Sequence, residues 1–230
     1  IGTGRKLTVA SQISGGGTLT KNGDGMLVIS PALLGVPVTV TAGTLELSAP
    51  SDGTRAITVN ATGSLAFAPE TNLVAVSDLN LQNISFADGS ILALDSSRAP
   101  NQYLTVQGVI ANPASGASLR VDKIGAGTAL LSDSNTFTGG VWIKEGTLRV
   151  TTFPLNDEPS PLGIATTNGA AKLTFAGGLL EYAGLADVIT YRLFTRTAGQ
   201  WAQICVTNAG TTLWIANYQR SNGILIKTGE

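Results

Sequence analysis

The chain has 230 residues, a formal net charge of −1, 43% hydrophobic and 13% charged residues, 28 glycines, one cysteine and no histidine. Without histidine there is no Ser-His-Asp triad, Cys-His pair or histidine-bound zinc or iron, and a single cysteine excludes an intrachain disulfide framework, a Cys₄ zinc site and an iron–sulfur cluster. Charge at about half the usual ~25%, balanced in sign, gives no basic field for nucleic acid, and the wealth of Val, Ile and Leu argues against disorder.

No run of ~18 apolar residues exists to span a membrane as a helix, and the opening IGTGRKLTVA lacks the shape of a signal peptide. Apolar residues at helical spacing are almost absent, whereas alternation with period two fills the chain. In chain order the predicted strands lie in GMLVIS, VPVTVTAG, GTLELSA, AITVNATG, GSLAFAP, SILALDS, YLTVQGVI, SLRVDK, GVWIKEG, GTLRVT, KLTFAGG, DVITYRLF, AQICV, TTLWIANY and GILIKTG. Each run is short, rich in β-branched residues and bounded by Gly, Asn, Asp or Ser, which is how strands separated by tight turns read. Cys205, in the alternating WAQICVTNA, is expected to be a small buried hydrophobe. Many strands open with Gly, a small residue and an aliphatic, as in Gly43-Thr44-Leu45 and Gly146-Thr147-Leu148. The glycine can take a positive φ and turn the chain. Most gaps between these glycines run from 18 (Gly25 to Gly43) to 26 (Gly63 to Gly89) residues, which suits one coil of a β-solenoid.

A longer period overlies the short one. KNGDGMLVIS starts at Lys21, KIGAGTALLS at Lys123 and KTGE at Lys227, offsets of 102 and 104 residues. A second word keeps step, since Gly43 and Gly146 are 103 apart. The chain thus reads as one solenoid over 1–230 with two units, 21–122 and 123–226, and a third beginning at 227–230.

The stretch KIGAGTALLSDSNTFTGGVWIKEGTLRV, Lys123 to Val150, resembles the autotransporter-associated β-strand repeat through Lys123, Gly125, Gly127, Asn135, Phe137, Gly139, Gly140, Gly146 and Leu148. The first copy keeps Lys21, Gly23, Gly25, Gly43 and Leu45 but has PALLGVP where the Asn-Thr-aromatic turn belongs, and the third begins with Lys227 and Gly229. The resemblance implies a right-handed parallel β-helix, secreted and displayed on a bacterial surface. With ~22 residues per coil the chain would make roughly ten coils and a rod on the order of 50 Å long.

A solenoid end exposes unpaired backbone and an open core unless it is capped, and neither terminus shows a capping helix. Leu7 and Val9 at one end and Ile224, Leu225 and Ile226 at the other are therefore expected to touch a neighbour. The partner is a second copy stacked head to tail or an adjacent repeat of the same long chain, with surface glycans as a further class.

Catalytic, metal and cofactor sites find little footing. Asn22-Gly23-Asp24-Gly25 resembles half a calcium nonapeptide turn, yet the next copy, Ile124-Gly125-Ala126-Gly127, lacks the carboxylate. Asn156-Asp157-Glu158 lies between Pro154 and Pro159 and reads as a solvated loop. Trp142, Tyr182, Tyr191, Trp201, Trp214 and Tyr218 read as core filling or subunit contact before a glycan platform, and Trp142 and Trp214 alternate outward. The three repeat lysines are expected to keep their charged heads outside the turn. The leading functional reading is an extracellular structural solenoid that polymerises end to end. A passenger or stalk segment of an adhesin is the alternative, followed by a polysaccharide-binding or -cleaving β-helix. No cofactor is expected.

Overall fold

The computed structural model describes residues 1–48, 55–76, 81, 84–153, 158–165, 172–216 and, for the backbone, 225–228. The strands β1 to β22, numbered in chain order, form parallel sheets. The first sheet stacks β1 (Lys6–Val9), β3 (Met26–Ile29), β5 (Gly43–Leu47), β7 (Gly63–Phe67), β10 (Ile91–Asp95), β12 (Arg120–Ile124), β14 (Val141–Ile143), β16 (Leu173–Phe175) and β19 (Phe194–Arg196). The second runs β8 (Leu73–Ala75), β11 (Tyr103–Gln107), β13 (Thr128–Leu131), β15 (Thr147–Val150), β17 (Leu179–Tyr182), β20 (Ala202–Val206) and β22 (Leu225–Thr228). The third side carries two sheets, β2 (Leu19–Lys21), β4 (Val38–Val40), β6 (Ile57–Val59) and β9 (Ile84–Phe86), then β18 (Val188–Thr190) with β21 (Leu213–Ile215).

Over β7 to β10 and again over β16 to β21 the chain passes through the first, second and third sheets in turn, whereas β1 to β6 alternate between the first and third and β10 to β17 between the first and second. A parallel neighbour cannot follow through a hairpin, so each strand pairs with one a circuit away. The registers turn alternation in sequence into continuous ladders. In the first sheet Leu7, Leu27, Leu45, Leu65, Leu92, Val121, Val141, Leu173 and Phe194 stand in one row. All but Leu7 are buried. Two residues on, Ile29, Leu47, Phe67, Leu94, Lys123, Ile143 and Phe175 form a second inward row. One core cluster draws on every sheet, with Val188, Leu213 and Ile215 packed against it from the last.

Two details depart from the sequence reading. DVITYRLF is not one strand: it breaks into β18 and β19, and buried Arg192 sits at the corner. Its guanidinium donates to Gly163 O (2.6 Å) and Ser160 Oγ (3.3 Å), and burial pushes its pKa down to about 10. Cys205 is partly exposed rather than buried, because the register places it beside Glu181 in an outward row. PALLGVP makes a 3₁₀ turn, Pro31–Leu33, with Leu34 and Val36 buried behind it. Among the described residues no helix is long and apolar enough to cross a membrane.

At the two ends, β1 pairs with β3 and β22 with β20 among the described residues. Leu7 is 50% exposed and Val9 packs against the core edge. Ile224 and Gly229 lie outside the described residues, as do the side chains of Leu225, Ile226 and Lys227.

Candidate functional site

The repeat word places an ammonium where alternation alone would put an aliphatic. Lys21 pairs in register with Val40, an inward position, and Lys123 stands between Leu94 and Ile143. Neither head lies outside the turn, which corrects the expectation from sequence: the two residues are 2% and 0% exposed. Lys21 Nζ donates to Gly23 O (2.6 Å), Ala42 O (2.8 Å) and Asn22 O (3.3 Å). Lys123 Nζ donates to Gly125 O (2.6 Å), Ile124 O (2.8 Å) and Glu145 O (3.2 Å). An ammonium has three N–H donors and no acceptor, so a cage of three carbonyls satisfies it completely. Two carbonyls come from the lysine's own turn and one from the next circuit. Burial lowers the pKa of both, that of Lys123 to about 8, against the opposing pull of Asp24 on Lys21 and of Asp95 and Glu145 on Lys123.

The glycines of the word build the cage. Gly23 and Gly125 have φ of +73° and +67°, which aims successive carbonyls at one point. Gly43 and Gly146, one circuit on, have φ of +68° and +64° and close the cage from behind. A Cβ at Gly146 would lie 2.8 Å from Lys123 Nζ and 2.7 Å from Gly125 O. Thus lysine and glycine, 22 or 23 residues apart in the two copies, form one device that clips one circuit to the next.

The NTFTGG turn works by the same logic. Asn135 is buried, accepts a hydrogen bond from Ile110 N (2.8 Å) through Oδ1 and donates through Nδ2 to Pro161 O (2.9 Å). Its amide therefore bridges the circuits before and after its own. Phe137 fills the core, a Cβ at Gly139 would press on the Leu119 and Arg120 backbone, and Gly140 takes φ +83°. Asn135→Ala would leave a buried N–H and a buried C=O without partners. The expected loss is about 2 kcal/mol, read as a lower urea midpoint at unchanged slope.

The outer row of the first sheet, which the sequence reading missed, carries charge. Glu46, Ala66, Ala93, Asp122, Trp142 and Thr174 stand in register. Glu46 is clasped by Arg98 (3.1 Å) and Lys6 (3.7 Å). Burial raises its pKa, and Lys6 and Arg98 oppose the rise while Asp95 adds to it. Asp122 meets Lys144 (2.7 Å) and Arg120 (2.8 Å), and the Arg120 guanidinium lies 4.5 Å from the Trp142 ring centre. Arg120 and Asp122 are two residues apart on β12, whereas Lys6, Arg98 and Lys144 come from elsewhere in the chain, so a local reading shows only the first of these pairs. Each of these two carboxylates is thus matched by two cations. Tyr182 is core, its hydroxyl donating to Ala186 O (2.6 Å), whereas Tyr191, Trp201 and Trp214 are exposed. Glu158 is exposed, and Asn156, Asp157 and Tyr218 lie outside the described residues.

The family model of the passenger-associated-transport-repeat matches residues 121–150, which span the Lys123 cage, Asn135, Phe137 and Gly146. Residues 121–150 are thus similar to one passenger-associated transport repeat. Over 110 residues, 47% of its length, the chain is 38% identical to the adhesin BmaC autotransporter of Brucella suis biovar 1 (strain 1330). The chain covers only 3% of that relative's length. No solved structure matches. The matched passenger repeat thus coincides with one complete set of bonds between circuits.

Proposed function

We propose that the chain is a segment of a secreted bacterial passenger, a right-handed parallel β-solenoid of roughly ten coils that serves as a rigid, non-catalytic stalk for an adhesin. The passenger repeat with its adhesin relative is the observation that carries this reading. The rotation through three sheets supports the solenoid, and the near-universal right hand of parallel crossovers supports its sense. Stability in such a rod is a sum of neighbour terms, which suits a stalk that must stay stiff along its length. Protease treatment of intact source cells should release peptides from this chain. Recovery from the cytosol alone, with nothing shaved from the surface, would overturn the proposal.

A further inference from the structure

The first two sheets pass unbroken through the middle of the molecule, but among the described residues the third does not: its four-stranded sheet ends at β9. The next passage over that side, from Ile110 to Ser118, bonds onward instead. Thr136 N donates to Ile110 O (2.9 Å), and Asn112 accepts from Thr138 N through Oδ1 (3.1 Å) and donates to Thr138 Oγ1 (2.9 Å). Backward contact is made at the far corner, where Gly89 N donates to Ser118 O (3.0 Å) and Ser118 N to Asp88 Oδ1 (2.8 Å). Between β9 and this passage lies a cleft of about 790 Å³. Ile84, Phe86, Val109 and Leu119 give it apolar walls, and Gln107 and Asn112 supply polar groups.

The backbone of β9 is oriented for pairing. Ala87 N donates to Val59 O (2.8 Å). In a parallel ladder alternate residues turn both N–H and C=O to the same side. Ser85 and Ala87 therefore face β6, and Ile84 and Phe86 present their N–H and C=O toward the cleft. The ladders specify what a further rung would carry. Leu19, Val38, Ile57 and Ile84 form one row, Lys21, Val40, Val59 and Phe86 another, and Thr20, Thr39, Thr58 and Ser85 the outward row between them. The chain's own passage does not match: Ala111-Asn112-Pro113-Ala114-Ser115-Gly116-Ala117 has no aliphatic–polar–aliphatic triplet, and Pro113 has no N–H to give.

We infer that this cleft accepts an extended strand from another polypeptide, aliphatic–Thr/Ser–aliphatic in pattern and parallel to β9, which adds the absent rung. Main-chain bonds to Ile84 and Phe86 supply affinity, and the two inward aliphatics, seated over Ile84 and Phe86, supply register. The inference does not rest on the passenger reading.

The test uses the full chain and a capped six-residue peptide, Ala-Ile-Thr-Val-Asn-Ala, against a scrambled peptide of the same composition. Fluorescence anisotropy should show saturable binding of the first alone, with the amides of Ile84 and Phe86 gaining hydrogen-exchange protection. Val109→Glu, at a half-exposed rim position, should weaken binding at least tenfold while leaving the thermal midpoint unchanged. Equal binding of both peptides, no saturation, or binding indifferent to Val109→Glu would overturn the inference. So would uptake of an apolar dye without the peptide, or a dimer abolished by Val109→Glu, which would assign the cleft to a small ligand or to a second copy.

Discussion

Gly146→Ala is expected to destabilise the protein by about 3–5 kcal/mol. Two terms add. The backbone at Gly146 has φ +64°, where a side chain is strained by about 1–2 kcal/mol. The added Cβ would also press on Gly125 O and Lys123 Nζ, at 2.7 and 2.8 Å, and neither can yield without opening the cage. Gly89→Ala separates the two terms. Gly89 has φ +78° but nothing within 4 Å of its would-be Cβ, so that variant should lose the strain term alone. Urea titrations of the two variants beside the parent decide the matter: equal losses would mean that the cage gives way freely. Gly43→Ala should behave like Gly146→Ala, since its Cβ would lie 2.6 Å from Lys21 Nζ.

The second large effect concerns the ammonium itself. Lys123→Met keeps a long side chain in the ladder between Leu94 and Ile143 but strips the donors from three carbonyls. Leaving buried acceptors unpaired at ~1–3 kcal/mol each outweighs the relief of no longer burying a charge. We expect a net loss of about 2–4 kcal/mol. The pH dependence tells the two terms apart. Burial holds the Lys123 pKa at about 8, below the ordinary lysine value of 10.5. Between those values the unfolded chain keeps a proton that the native state releases, so stability from this group rises with pH. The increment is complete above pH 10.5 and lost as pH falls through about 8. The gap between parent and Lys123→Met should therefore widen from pH 8 to 10.5; a constant gap would show that the amine does not titrate within the fold.

Alternation made most strands legible. Where it fails, the cause differs from place to place. Leu73-Val74-Ala75 and Leu179-Leu180-Glu181-Tyr182 put apolar residues on both faces, and Ile84-Ser85-Phe86 is too short to stand out. DVITYRLF alternates well enough to pass for one strand, because the partners that bend it at Arg192 lie about 30 residues upstream. The lysines were misread for a related reason. A lone lysine in a strand normally carries its head to water, and only carbonyls turned inward by positive-φ glycines make burial tolerable. The signal is a glycine 22 residues after Lys21 and 23 after Lys123, but its meaning depends on the stacking of circuits. The outer carboxylates of Glu46 and Asp122 are harder to read, since Lys6, Arg98 and Lys144 reach them from distant stretches and only Arg120 lies on the same strand as its partner.

The three lysines of the word do not share a side. Lys21 belongs to the third sheet, Lys123 to the first and Lys227, by its backbone register with Ile204, to the second. Each step of about a hundred residues therefore advances the word by one side, as a screw thread advances around a shaft. Were the pattern to continue, every third copy would return to the same azimuth, and the words would be distributed over three directions.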